Sequence, residues 1–177
     1  MPFLPSLNDD AFISDLKNTF PDLPSISNGV SLMRGPSPLS IAERELIIAY
    51  VSRLNNCDLC HDVHADVSCQ LGVDQQVIDK IFNREDLTLE DTRIAPLLDY
   101  VHKLTRRPGA MKQADVDKVF EAGWSELALV HAIGICSFYC MMNRMVNAAG
   151  VKGTIKKRKH VAARMARKGY TGKRKRG

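Results

Sequence analysis

The sequence lacks the features that would place the protein in a membrane or in the secretory pathway. No apolar run approaches the ~20 residues that span a bilayer. The first residues, MPFLPSLNDDAF, hold prolines and acids where a secretory signal has a basic start and a long apolar stretch. We therefore expect a cytoplasmic protein with no membrane partner.

Sustained period-two alternation, the pattern of half-buried strands, is also missing. The composition of the 177 residues is that of a globular protein, with 45% hydrophobic and 25% charged residues, which excludes collagen-like and wholly disordered chains. A chain of this length folds without a disulfide or metal staple. The five cysteines are an odd number and include a CDLC pair, which indicates redox or metal chemistry rather than a disulfide framework.

Acidic residues are absent from residues 152–177, which carry twelve Lys or Arg side chains. Residues 1–151 carry thirteen basic and twenty acidic residues, so a body of negative net charge precedes a strongly positive tail. We divide the chain accordingly into a helical domain, 1–151, and a basic C-terminal tail, 152–177. The tail has three possible roles: nucleic-acid binding, a solvated extension, or an arm on the acidic surface of a neighbouring subunit. The scarcity of stacking aromatic residues speaks against nucleic acid.

Helix signals cover nearly the whole chain. Ser40 and Glu43 form a capping-box pattern before an apolar stripe. Thr88 is the expected cap of a later helix, in which Pro96 predicts a kink or a restart. Predicted helices occupy 8–20, 25–34, 41–54, 57–72, 73–83, 88–105, 113–122, 125–149 and, in the tail, 155–168, where Ile155, Val161, Ala162 and Met165 form a thin apolar stripe. The sequence predicts an all-α bundle of antiparallel helices with short connections.

Cysteine and histidine recur at helical spacing in one block. A helix that begins at Cys57 puts Cys60 one turn inside it, with both sulfurs on one face, and His64 one turn further along. Unpaired amides and the helix dipole at such an end stabilise a thiolate, whose pKa is then roughly 3.5–7.5. The spacing therefore places a reactive sulfur, a partner thiol and a base together.

Glu45 lies on the preceding helix, and an antiparallel return through Asn55 and Asn56 would bring it beside His64. A buried carboxylate there orients the imidazole and accepts a proton. Taken alone, without the cysteines, Glu45 is better explained as a solvated charge on the helix surface. The cysteine pair has two further interpretations. It is part of a zinc site, although no second CxxC or His pair follows, or it consists of inert buried cysteines.

The block ERELIIAYVSRLNNCDLCHDVHA resembles the core motif of the AhpD-like alkylhydroperoxidases, within the carboxymuconolactone decarboxylase-like superfamily. That motif has a Glu, a CxxC that begins twelve residues later, and a His four residues after the second Cys. The matching positions are Glu45, Cys57, Cys60 and His64, and Ser52, Asn55 and Asn56 fit the S-x-x-N-x-C approach to the pair. Residues 112–151 resemble the closing helices of the peroxidase-related branch, including its Asn-Arg pair at Asn143-Arg144.

The resemblance implies an AhpD-like helical fold, a homo-oligomer, and a peroxidase that uses no haem, flavin or metal. It gives the peroxidatic role to Cys60, the resolving role to Cys57, and a proton relay to Glu45 and His64. The implied partners are a hydroperoxide substrate and a dithiol reductant, either a protein or a small molecule. One position departs from the pattern, because some members have His directly before the second cysteine and this chain has Leu59.

Decarboxylase members of the superfamily lack the cysteine pair, so its presence favours a peroxidase. Two other functions stay open: a non-enzymatic module that senses oxidation and whose tail contacts a partner or nucleic acid, and a disulfide reductase. The remaining cysteines and one histidine are predicted to be packing residues, namely Cys69, His131, Cys136 and Cys140.

Overall fold

The structure, a computed structural model, describes residues 29–83 and 93–171. Within these two ranges every regular element is helical, which confirms the all-α prediction. The α-helices are α1 (Gly29–Arg34), α2 (Ile41–Leu54), α3 (Asp58–Gln70), α4 (Gln75–Asn83), α5 (Ala95–Arg106), α6 (Gln113–Glu121), α7 (Glu126–Ala148) and α8 (Ile155–Lys168). Short 3-10 turns follow α5, at Pro108–Ala110, and α8, at Gly169–Thr171. The predicted helix over 8–20 and the predicted cap Thr88 lie outside the described residues.

Helix starts follow from local capping chemistry. The Ser40 hydroxyl accepts a hydrogen bond from the Glu43 amide at 3.1 Å, and the Glu43 carboxylate accepts one from the Ser40 amide at 2.7 Å. This reciprocal pair is the predicted capping box, and it begins α2. Helix α5 begins at Ala95 with Pro96 in its first turn, where the missing amide hydrogen is not needed. The part of the predicted helix that precedes this start, over 88–92, lies outside the described residues.

Helix α2 is the centre of the bundle. Its residues from Arg44 to Ser52 are all buried, which requires neighbours on every side. Helices α3, α5 and α7 supply most of these contacts, and α1 and α4 supply the rest. A side chain of α2 that faces α3 is therefore shielded from water, which decides the environment of Glu45.

Helix α7 is long and apolar enough to cross a membrane, by length and composition alone. The sequence did not suggest such a segment, because no uninterrupted apolar run approaches the length of a bilayer span. In the structure, 56% of its most apolar stretch is buried inside the protein, where α7 packs against α1, α2 and α5. The core helix of a bundle meets the same criteria, and the packing of α7 is that of a core helix.

Residues 151–171, from the basic end of the chain, fold back onto the chain's own helices. Helix α8 packs on α3, where buried Ala162 and Met165 meet Val63 and Val67. The exposed face of α8 carries its charges, so the apolar stripe holds the helix in place. The predicted stripe is wrong at Ile155, which is 73% exposed.

An ion pair adds to this packing. Arg158 of α8 pairs with Asp62 of α3 and also donates a hydrogen bond to the Gly153 carbonyl at 2.9 Å. Both charged side chains are partly exposed, so the pair fixes the position of α8 more than it stabilises the fold.

Candidate active site

The turn between α2 and α3 sets the position of the two cysteines. Asn56 adopts a positive φ of 54°, a conformation that Asn tolerates better than most residues. The Cys57 amide then donates to the Ser52 carbonyl at 2.9 Å, and Cys57 becomes the residue that precedes α3. Helices α2 and α3 thus form an antiparallel hairpin with the cysteine pair at its closed end.

The two thiols differ in access to solvent. Cys57 is 1% exposed, whereas Cys60, one turn inside α3, is partly exposed. Both are free thiols. A small molecule that enters from solvent therefore meets the sulfur of Cys60 before that of Cys57.

Glu45 and His64 form a buried pair across the hairpin. A Glu45 carboxylate oxygen (Oε2) lies 2.6 Å from His64 Nδ1, and the two side chains are 0% and 7% exposed. The antiparallel return predicted this meeting, and burial excludes the explanation of Glu45 as a solvated charge. A short contact between a carboxylate and Nδ1 fixes the orientation of the ring.

Arg34 of α1 and Tyr170 complete the surroundings of the Glu45 carboxylate. The Arg34 guanidinium donates to Glu45 Oε1 at 2.7 Å, and the Tyr170 hydroxyl donates to the same oxygen at 3.3 Å. The guanidinium also lies 4.8 Å from the centre of the Tyr170 ring. Sequence reasoning missed both residues, because neither belongs to the motif: Arg34 precedes Glu45 by 11 residues on a separate helix, and Tyr170 follows it by 125 residues.

These contacts decide the charge of Glu45. Burial alone would raise the pKa of its carboxyl group, but His64 and Arg34 outweigh burial and hold that pKa below its usual value. Glu45 is therefore an anion that fixes the orientation of the His64 ring through Nδ1.

Two tyrosines cover the imidazole of His64. The ring of Tyr139, from α7, meets it edge-on at 5.1 Å, and the Tyr170 ring stacks on it at 6.3 Å. The two phenol oxygens are 3.1 Å apart. Burial raises the pKa of both phenols, so they remain neutral hydroxyls beside the pair.

The pKa of Cys60 corrects one expectation from the sequence. Burial, followed by the neighbouring Cys57 thiol, raises the pKa of Cys60 to about 12, whereas Asn143 lowers it. Burial and the Cys57 thiol thus oppose the ionisation that a helix end was expected to favour. Cys60 is a protonated thiol at rest and needs a base before it can react.

Asn143 links α7 to the cysteine hairpin. It is 0% exposed, its amide donates to the Ser52 hydroxyl at 3.0 Å, and its carbonyl oxygen accepts from the Asn55 amide at 3.1 Å. Ser52, Asn55 and Asn143 are thus joined in one network beside Cys60. The adjacent Arg144 turns back to the Cys140 carbonyl of its own helix at 2.7 Å.

A cavity of about 290 Å³ opens onto two of the candidate site residues. Cys60 and His64 both line it, together with apolar side chains of α3 and residues from 151–161. The arrangement therefore offers a route from solvent to the Cys60 thiol and the His64 imidazole.

Comparison with solved structures finds proteins of the same fold. A peroxidase-related protein from Silicibacter sp. TM1040 is 27% identical, with a TM-score of 0.65 over 82% of this chain and 73% of its own. An AhpD core from Ralstonia eutropha JMP134, described as an alkylhydroperoxidase and as peroxidase-related, is 21% identical, with a TM-score of 0.65 over 88% and 90%. No protein-family model and no curated protein matches the chain.

The chain has the fold of the AhpD-like, peroxidase-related superfamily. The resemblance that rested on the motif thus agrees with the fold. In this AhpD-like protein, the four matched residues occupy one hairpin, with Glu45 on α2, Cys57 before α3, and Cys60 and His64 within α3. The departure from the pattern, Leu59, lies against the cavity.

The other cysteines and histidines of the AhpD-like bundle lie mainly in its core. His131 is 0% exposed and its Nε2 contacts the Leu32 carbonyl at 2.7 Å, as predicted for a core histidine. Cys136 is buried, and Cys140 is partly buried against the core. A hydrogen bond with Cys136, together with Asn55 and Arg144, lowers the pKa of Cys140 to about 5, a property that the sequence did not suggest.

The zinc interpretation of the cysteine pair has no donor set to support it. Among the described residues, no three His, Cys, Asp or Glu side chains are grouped so that they could hold a metal ion. His61, next to Cys60, turns away, and its Nδ1 lies 2.9 Å from the Ala49 carbonyl.

Proposed function

We propose that this AhpD-like protein is a thiol-dependent peroxidase that reduces hydroperoxides at Cys60, with Cys57 as the resolving cysteine. The main support is the buried contact of 2.6 Å between Glu45 and His64, because His64 lines the same cavity as the partly exposed Cys60 thiol. A base held by a buried anion next to a nucleophile is the arrangement that activates a weak nucleophile. The peroxidase-related neighbours agree with this class of reaction.

In the first step, His64 takes the proton of the Cys60 thiol, and Glu45 stabilises the imidazolium that results. The thiolate attacks one oxygen of the hydroperoxide, so that an S–O bond forms and the O–O bond breaks. The leaving oxygen takes the proton from His64 and departs as an alcohol, or as water when the substrate is hydrogen peroxide. Cys60 is then a sulfenic acid, oxidised by two electrons.

In the second step, the Cys57 sulfur attacks the sulfenic sulfur of Cys60. An S–S bond forms, the hydroxyl leaves with the proton of the Cys57 thiol, and water is released. The influence of Cys57 on the pKa of Cys60 supports this step, since it requires neighbouring thiols. A dithiol then reduces the disulfide by exchange and is itself oxidised to a disulfide.

Access supports the assignment of the two cysteine roles. Cys60 lines the cavity, whereas Cys57 is 1% exposed, so a hydroperoxide meets Cys60 first. The same geometry favours a peroxidase over a disulfide reductase, because a thiol beneath residues 151–161 is less accessible to a protein disulfide than to a small peroxide.

Peroxide consumption with dithiothreitol as reductant tests the proposal. Cys60→Ser is expected to abolish turnover, because serine provides no oxidisable sulfur. Cys69→Ser is the matched control, since Cys69 lies on the same helix but contacts Gln75 instead of the cavity at Cys60. The control is expected to retain wild-type turnover. Full turnover by Cys60→Ser would refute the proposal, and insulin reduction measured in parallel would reveal a disulfide reductase.

Self-association, a dithiol partner and a cytoplasmic location stay predictions. Met141 and Met145 lie one turn apart on α7 and are 48% and 59% exposed, which supports a contact between copies of the chain. The sedimentation velocity of the purified protein would give its stoichiometry.

A further inference from the structure

The cavity beside Cys60 is apolar along most of its wall. Leu59 and Val63 of α3 line it from one side and Val161 of α8 from the other. Gly153 brings the backbone close to this wall, since a Cβ atom there would lie 2.9 Å from Leu59 Cδ1. The volume of the cavity, about 290 Å³, is close to the lower limit for sites that bind small organic molecules. Such a wall favours an organic body over a bare peroxide.

Three cationic side chains also line this cavity: Lys152, Lys157 and Arg158. Arg158 is engaged with Asp62 and with the Gly153 carbonyl. Lys152 and Lys157 are exposed and form no ion pair within the described ranges 29–83 and 93–171. No Asp or Glu is among the described residues that line the cavity. The site therefore presents an apolar surface and two ammonium groups that no described carboxylate pairs with.

We propose that the cavity selects hydroperoxides that combine a compact apolar body with one carboxylate. The body would pack on Leu59, Val63 and Val161, and the carboxylate would pair with Lys152 and Lys157. A molecule held in this way directs its peroxide toward Cys60, which lines the same cavity. The inference rests on the proposed peroxidase function for its reaction and on the cavity alone for its choice of substrate.

The test compares para-carboxycumene hydroperoxide with its methyl ester, because the two share one apolar body and differ in charge. With dithiothreitol as reductant near neutral pH, we expect kcat/KM to be about tenfold higher for the acid, as two exposed ion pairs allow. Raised salt is expected to reduce this ratio, because it screens exposed charges. The double variant Lys152→Gln/Lys157→Gln is expected to bring the ratio close to one.

Lys156→Gln/Lys159→Gln is the matched control. It removes the same charge from neighbouring exposed positions outside this cavity, so the acid-to-ester ratio is expected to stay at the wild-type value. Equal kcat/KM for acid and ester in the wild type would overturn the inference. An equal loss of preference in the control would also overturn it, because general attraction by the basic helix would then account for the effect.

A binding measurement separates this inference from the proposed function. Calorimetry with para-carboxycumyl alcohol, the reduced form of the probe, requires no turnover. Binding that is about tenfold weaker in Lys152→Gln/Lys157→Gln than in the control supports the site even if no hydroperoxide is consumed. Turnover of tert-butyl hydroperoxide without any preference for the acid would leave the peroxidase proposal standing and refute the substrate class.

Discussion

At the scale of the residue, the account depends on a thiol that is protonated at rest. Burial and the Cys57 thiol raise the pKa of Cys60 to about 12, so the sulfur is not ionised before the substrate arrives. A protonated thiol is a poor target for adventitious oxidants. The requirement for a base gives His64 and Glu45 a function that an already ionised cysteine would not need.

The pKa of Cys60 leads to a prediction for alkylation by iodoacetamide, measured at Cys60 by peptide mass spectrometry. In the wild type, the rate is expected to keep rising above about pH 8.5, the usual thiol pKa. Cys57→Ala removes the thiol that raises this pKa and is expected to shift the curve to lower pH. Asn143→Ala removes a group that lowers it and is expected to shift the curve the other way. A wild-type rate that levels off near neutral pH would contradict the assignment.

Glu45 gives a prediction for stability against pH. Its pKa is lowered in the folded protein, so its contribution is complete above the unfolded value of about 4.3 and is lost as pH falls through the folded value. Glu45→Gln leaves Arg34 and His64 without their anion and is expected to cost about 1–3 kcal/mol near neutral pH. The loss should shrink in acid, where the wild type is weakened as well.

Urea unfolding between about pH 3 and 7 measures this effect. Glu121→Gln is the control, because Glu121 is exposed and outside the site. It is expected to follow the wild-type curve throughout. A difference between Glu45→Gln and the wild type that stays constant with pH would show that the carboxylate does not titrate as described.

Residue spacing predicted the meeting of Glu45 with His64, because helical geometry and one tight turn determine it. It did not predict Arg34 or Tyr170, which reach the same carboxylate from elements outside the motif. It also gave the wrong ionisation for Cys60, because helix position is visible in a sequence and desolvation is not.

At the scale of the element, helix starts were predictable where a capping side chain and the amide that it accepts from are only a few residues apart. Ser40, Ser125 and Thr154 each accept a hydrogen bond from an amide three residues on, and each begins a helix where the sequence predicts one. The association of α8 with α3 was not predictable. Its charges indicated solvent or a partner, while its few buried contacts lie on a narrow face.

The ion pair between Arg158 and Asp62 tests how α8 is held. Arg158→Ala is expected to increase amide hydrogen exchange across Ile155–Lys168 with little change elsewhere, because it releases one helix and leaves the core intact. The cost is about 0.2–1 kcal/mol, as for other partly exposed pairs. Lys159→Ala, an exposed position on the same helix, is the control and is expected to leave exchange unchanged. Equal exchange in both variants would mean that the pair does not hold α8.

At the scale of the whole molecule, the site draws on both charge regions of the chain. The acidic body supplies the hairpin with Glu45, Cys60 and His64, and the basic end supplies Tyr170 and one wall of the cavity. The boundary drawn after residue 151 therefore follows composition, while the candidate site crosses it. Composition indicated separate units because all Asp and Glu residues precede residue 152, and it contains no information on how the basic helix packs.

The central claim is that His64, held by Glu45, removes the proton of Cys60. The most direct measurement is the single-turnover rate of Cys60 oxidation to sulfenic acid by hydrogen peroxide. It should be made in a Cys57→Ser background, which stops the reaction before the disulfide forms. Addition of His64→Gln is expected to lower that rate about 10²–10⁴-fold, the usual contribution of a general base. A rate within about twofold of the background variant would contradict the account.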